Sequence, residues 1–174
     1  AAMFLIAGHF AELLGTVSKK EIAGLVSALN NLPDQVAKIL EQKESIEQLA
    51  VSLAANNNCF FIGRGMDYAV AMEGSLKLKE ISYMHAEAYA AGELKHGTLA
   101  LIEEGTPVIG LVTQDHVYEK TVSNIEEVIA RDAQTIVVTY EGDDKVSKIA
   151  DSTIFIPNTV PLVAPILAVV PLQL

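Results

Sequence analysis

The sequence has no tryptophan, one cysteine, and only 12 lysines and arginines against 22 aspartates and glutamates. The resulting net charge of -10 counts against nucleic acid as a partner, because its phosphates would be repelled. A small anion remains admissible, since a few backbone N–H groups and one or two cations can hold it against a distant negative background. With Cys59 as the single cysteine no internal disulfide can form. Its place in the apolar run NCFFIG reads as a small buried hydrophobe, which fits a reducing, cytoplasmic setting.

A basic stretch ahead of the first apolar residues is also missing, so AAMFLIAGHFAELLG does not read as a secretory signal but as the last helix of something upstream. The closing run VPLVAPILAVVPLQL is interrupted by Pro161, Pro165 and Pro171. It falls short of the roughly 20 residues that cross a bilayer. It reads as a core helix stopped before its natural tail, and no membrane partner is expected. What the chain does have is aliphatic bulk: 51% hydrophobic and 20% charged residues exclude disorder and require a large core.

Apolar spacing predicts helices over 3–16, from Ser18 with Glu21 at the capping-box position, and over 34–54, with Asn30, Asn31 and Pro33 as the break between the last two. Short runs rich in Val, Ile and Phe at 59–63, 107–113, 134–140 and 152–157 predict strands. Helices are expected between them at about 66–83, 117–131 and 143–150, and at the C-terminus. Continuous apolar strands alternating with helices imply an α/β fold: a three-layer α/β/α sandwich around a mainly parallel sheet, preceded by linker helices.

Chemistry concentrates in 60–101. Gly63-Arg64-Gly65 follows a strand and opens a helix, the place where an open α/β sheet binds anions. No third glycine or Walker lysine follows, and Asp67 would oppose a phosphate, so a bare turn and an anion contact both stay open. Glu73, Lys77 and Glu80 share one helix face at spacings of four and three. An exposed salt-bridged face is the ordinary reading of such a trio, yet Ala71, Gly74 and Ser75 keep the neighbouring surface small enough for close approach. His96 lies in the charged turn GELKHG, and turns on a rigid scaffold often carry reactive groups. His85 reads as a partly buried structural histidine, and neither His9 nor His116 has an acid or cysteine at ligand spacing, so no metal or other cofactor is expected. The chain also lacks a GxSxG elbow or a paired cysteine nucleophile.

The run EGSLKLKEISYMHAEAYAAGELKHGTLALI resembles the second sugar isomerase (SIS) half of the glucosamine-6-phosphate synthase family, and the similarity extends from the linker helix to VAPILAVVPLQL. The resemblance implies an enzyme that converts fructose 6-phosphate and glutamine-derived ammonia to glucosamine 6-phosphate. In that family a glutaminase with an N-terminal cysteine precedes two SIS halves. It makes residues 1–33 a helical remnant and linker, and 34–174 the second SIS subdomain. The glutaminase, the serine- and threonine-rich phosphate loop of the first half and the lysine-bearing tail are not in this sequence, so the chain by itself is expected to be inactive.

The resemblance assigns Glu80 as the base that moves a proton between C1 and C2 of the open-chain sugar. Lys77 would stabilise or relay charge at the enediol oxygen. His96 would open the sugar ring from across a homodimer interface, and Gly63, Arg64 and Gly65 form a further candidate substrate contact. Thr98 departs from the proline that often follows HG in the family, a change expected to alter loop stiffness. Two alternatives remain: another two-SIS sugar-phosphate enzyme, such as a deglycase or deaminase, and a non-catalytic sugar-phosphate-binding module.

Overall fold

A computed structural model describes all residues 1–174. In chain order the elements are α1 (Ala2–Leu13), α2 (Lys19–Leu40), α3 (Lys43–Leu53), β1 (Asn58–Gly63), α4 (Met66–Ser82), β2 (His85–Ala90), β3 (Pro107–Val112), α5 (Tyr118–Ile129), β4 (Gln134–Tyr140), α6 (Asp144–Ser147), β5 (Ser152–Ile156) and α7 (Ala164–Ala168). Two short 3-10 segments, Ala91–His96 and Thr98–Leu101, follow β2.

The strands form one parallel sheet in the order β2-β1-β3-β4-β5. Alternate side chains of each strand feed opposite layers. Phe61, Leu111, Val138 and Ile156 pack with α2, α3, α4 and α7 on one face. Phe60, Ile62, Val108 and Val137 pack with α5, α6 and the 3-10 segments on the other. The three-layer sandwich expected from the apolar runs is therefore present, with both faces of the sheet covered. No helix is long and apolar enough to cross a membrane.

Four expectations are corrected. Pro33 does not end a helix: α2 runs through it to Leu40, and the break falls at Glu41-Gln42. The stripe Leu25, Leu29, Leu32, Val36 and Ile39 stays in register on the core across the proline, and Pro33 itself is on the exposed side, where water can satisfy the carbonyl that loses its partner. The C-terminal helix shrinks to the five residues of α7, bounded by turns at Pro161 and Pro171, with Pro165 in its first turn where the missing N–H has no helical partner to lose.

The third correction is β2, which the sequence reading missed entirely. HAEAYA is built largely of alanine and charge and is a poor strand by propensity, yet it pairs residue by residue with β1, Asn58 to His85 through Gly63 to Ala90. Strand pairing at the sheet edge overrides its composition. Being on that edge, His85 is exposed rather than partly buried, and its Nε2 lies 3.4 Å from Glu87 Oε1.

Cys59 is fully buried in β1, and burial pushes its thiol up to about 12. A thiol held neutral and shielded is a poor nucleophile. A thiol-specific reagent at pH 8 is expected to label it only as fast as the chain unfolds; rapid labelling of the folded chain would refute that burial.

Candidate functional site

The sheet order places a topological switch point between β1 and β3, whose following helices, α4 and α5, pack on opposite faces. The strand ends diverge there and leave the crevice where α/β sheets commonly take ligands. Gly63-Arg64-Gly65 forms one wall, and the residues after β3, Thr113 to His116, form the other. Gly65 caps α4 at φ 58 and ψ -126, a conformation open essentially to glycine alone.

Across this crevice Asp67, in the first turn of α4, is 1% exposed. Its carboxylate accepts from the Thr113 backbone N–H at 2.7 Å and from the Thr113 hydroxyl. Burial pushes the Asp67 carboxyl up, against the opposing pull of the Thr113 hydrogen bonds, Gln114 and the nearby His116. Asp67 thus serves as a brace between β3 and α4. Both of its oxygens are already engaged by Thr113.

Arg64, whose type suggested an anion contact, is occupied by protein groups. Its Nε donates to Asn124 Oδ1 of α5 at 3.0 Å, and its guanidinium lies against Gly92 so closely that a Cβ there would come within 2.8 Å of it. The sequence carries no signal for this pairing, since 60 residues separate Arg64 from Asn124.

Further along α4, the trio predicted from spacing is assembled. Lys77 Nζ lies 2.7 Å from Glu80 Oε2 and 3.8 Å from Glu73 Oε1. The hydrogen bond to Glu80, with its charge, raises the Lys77 ammonium above the ordinary lysine range. The Glu80 side chain remains 53% exposed, and of its two oxygens only Oε2 is engaged by Lys77. Around it lie exposed apolar side chains: Met72, Leu76, Ile81 and Tyr83, the last 92% exposed and in a left-handed conformation that closes α4.

His96 ends the 3-10 segment Ala91–His96. Ala91 and Leu94, three apart and so on one face of a 3-10 turn, are completely buried among Phe60, Ile62 and Val122. This turns Lys95 and His96 outward. The His96 side chain is 76% exposed, with Glu93 Oε2 at 4.0 Å as its nearest ionic partner. No hydrogen bond or ion pair joins His96 to Glu80 or Lys77. On β2, Tyr89 donates to Glu87; that bond, then partial burial, pushes the Tyr89 phenol up.

An apolar cavity of about 300 Å³ opens between α3, α4 and residues 171–174, with Leu53, Phe61, Ile109, Ile136 and Leu172 among its walls and Lys77 at its rim. Its lining offers little to hold a sugar phosphate. No three His, Cys, Asp or Glu side chains come together as a metal would require.

The fold is shared with known proteins. A SIS domain profile matches residues 52–174. The chain is 51% identical over 173 residues to glutamine--fructose-6-phosphate aminotransferase (isomerizing) of Clostridium tetani, covering 99% of this chain and 28% of that protein. It therefore spans under a third of the length of such relatives. Among solved structures, the C-terminal domain of glucosamine-fructose-6-phosphate aminotransferase from Francisella tularensis superposes with a TM-score of 0.92 at 34% identity, over 97% of this chain and 47% of that one. A glucosamine-6-phosphate deaminase from Thermotoga maritima shares the fold at a TM-score of 0.65 and 22% identity, over 99% of this chain and 48% of that one. A single profile running from the end of α3 to Leu174 takes in the whole sheet, α4 and the His96 segment, and the chain belongs to the SIS domain family.

Proposed function

We propose that this chain is the second SIS half of the isomerase in a glutamine--fructose-6-phosphate aminotransferase, with residues 1–33 leading in from a preceding half. The full-length protein would convert fructose 6-phosphate and glutamine-derived ammonia to glucosamine 6-phosphate in the cytoplasm. The observation that carries this reading is the 51% identity over 173 residues, 99% of the chain.

The geometry suits the chemistry. In a ketose-to-aldose shift one base takes the proton from C1 and returns it to C2. Glu80 meets the need: one oxygen is held by Lys77, which orients the carboxylate, while the other stays open to substrate. The Lys77 ammonium lies where it could stabilise negative charge on the enediol oxygen. Ring opening needs a group that takes and returns a hydroxyl proton, and an imidazole does both; His96 fills this role from a second copy of the chain. Two features support a shared site: His96 makes no bond to Glu80 within the chain, and exposed Met72, Leu76 and Tyr83 beside Glu80 form the kind of apolar surface that a partner covers. Gly63 and Gly65 stand as secondary substrate contacts, whereas Arg64 beside them is turned to Asn124 and Gly92.

Subunit mixing tests the arrangement. Full-length Glu80→Gln and His96→Ala subunits are each expected to keep about 1% or less of parental activity. Mixed and allowed to exchange, they should recover about a quarter of parental activity, since half of the dimers are hybrids and each hybrid restores one of two sites. No recovery despite verified exchange would refute a site shared between subunits.

A further inference from the structure

The loop bearing His96 has no side-chain cap at its start and ends at Gly97, with φ 149, so its own backbone does little to fix the histidine. Beyond the burial of Ala91 and Leu94, what holds it is a chain of polar contacts from elements distant in sequence. Arg64 Nε donates to Asn124 Oδ1 at 3.0 Å. Asn124, 5% exposed, donates through Nδ2 to Glu127 Oε2 at 3.3 Å. The other oxygen of Glu127 lies 2.9 Å from Lys95 Nζ, the residue before His96. At the opposite end of the loop the Arg64 guanidinium packs on Gly92, where a Cβ would come within 2.8 Å of it and push it away.

Gly92 and Lys95, the two ends of this clamp, bracket the turn that His96 closes. We infer that Arg64, acting through Asn124 and Glu127, is a positioning residue that sets the place of His96, rather than a ligand of the sugar phosphate. The inference rests on the ring-opening role proposed for His96 and makes it more specific. A planar guanidinium suits the task, since it can donate along one edge while its face lies on a glycine; an ammonium cannot do both.

The test uses the full-length protein with Arg64→Ala, Arg64→Lys and Asn124→Ala; the last breaks the clamp without removing the arginine charge. Amide exchange of residues 92–97 should speed up about tenfold or more in all three, while amides of β1 and β3 keep their protection. In turnover, kcat should fall about tenfold, with KM for the sugar phosphate changing less than about twofold. Adding Arg64→Ala to His96→Ala should cost nothing further, because both act through one group.

Unchanged exchange at 92–97 would overturn the inference, as would a raised KM at constant kcat, the mark of a lost phosphate ligand. Additive losses in the double variant would overturn it as well. If Arg64→Ala loses protection throughout the molecule, Asn124→Ala decides by the same criteria. Full activity of His96→Ala alone would sink the ring-opening role instead, and the exchange data would still judge whether Arg64 holds the loop.

Discussion

Glu80→Gln in the full-length protein is expected to lower isomerisation about 10²- to 10⁴-fold, the usual contribution of a positioned general base, while leaving dimer formation and sugar binding in place. Gln keeps the length and planarity of the side chain and can still accept from Lys77 Nζ, so the 2.7 Å contact has a neutral substitute. What disappears is the ability to carry a proton from C1 to C2. Because the side chain is half exposed, the change leaves no buried group unpaired and should barely alter thermal unfolding. Loss of turnover with unchanged unfolding would separate chemistry from structure, and unchanged turnover would remove Glu80 from the reaction.

The largest structural effect is expected at Gly63. A Cβ there would stand 2.6 Å from the Asp67 carbonyl carbon, 2.7 Å from its oxygen and 2.9 Å from Tyr68 N. All three are backbone atoms, so no rotamer change relieves the contact and the first turn of α4 must move. That movement would pull Asp67 from Thr113 and leave a buried carboxylate without its donors. Overpacking combined with a lost buried hydrogen bond puts Gly63→Ala at about 3 kcal/mol or more. For a chain of this size the midpoint of thermal unfolding should drop by about 6–12 °C. A midpoint within about 2 °C of the parent would mean that α4 slides freely on β1 and that this close approach carries no strain.

Both effects arise in a stretch whose parts differed in how plainly they could be read. Spacing alone put Glu73, Lys77 and Glu80 on one helix face, because 3.6-residue periodicity is a local property, and the ion pairs formed as that spacing requires. The turn Gly63-Arg64-Gly65 was visible from its glycines, but what Arg64 touches was not. Its partners Asn124 and Gly92 lie 60 and 28 positions away, and no pattern in either segment points to the other. Likewise the histidine in GELKHG was evident, whereas the contacts that hold its loop come from α5.

The sequence by itself determined the layer architecture, since four apolar runs of strand length between amphipathic helices leave few arrangements other than a covered parallel sheet. It determined the acidic surface and the residue types at the chemical face of α4 as well. Tertiary structure decided three other matters. An alanine-rich segment became an edge strand because β1 offered it a row of unpaired backbone groups. A helix continued through Pro33 because its apolar stripe was already committed to the core on both sides. Half-buried Arg64 reached Asn124 and Gly92 because the fold brought an amide acceptor and a backbone without a side chain beside it. In each case a long-range contact outweighed a local preference, by making a hydrogen bond or burying a surface that the local sequence could not provide.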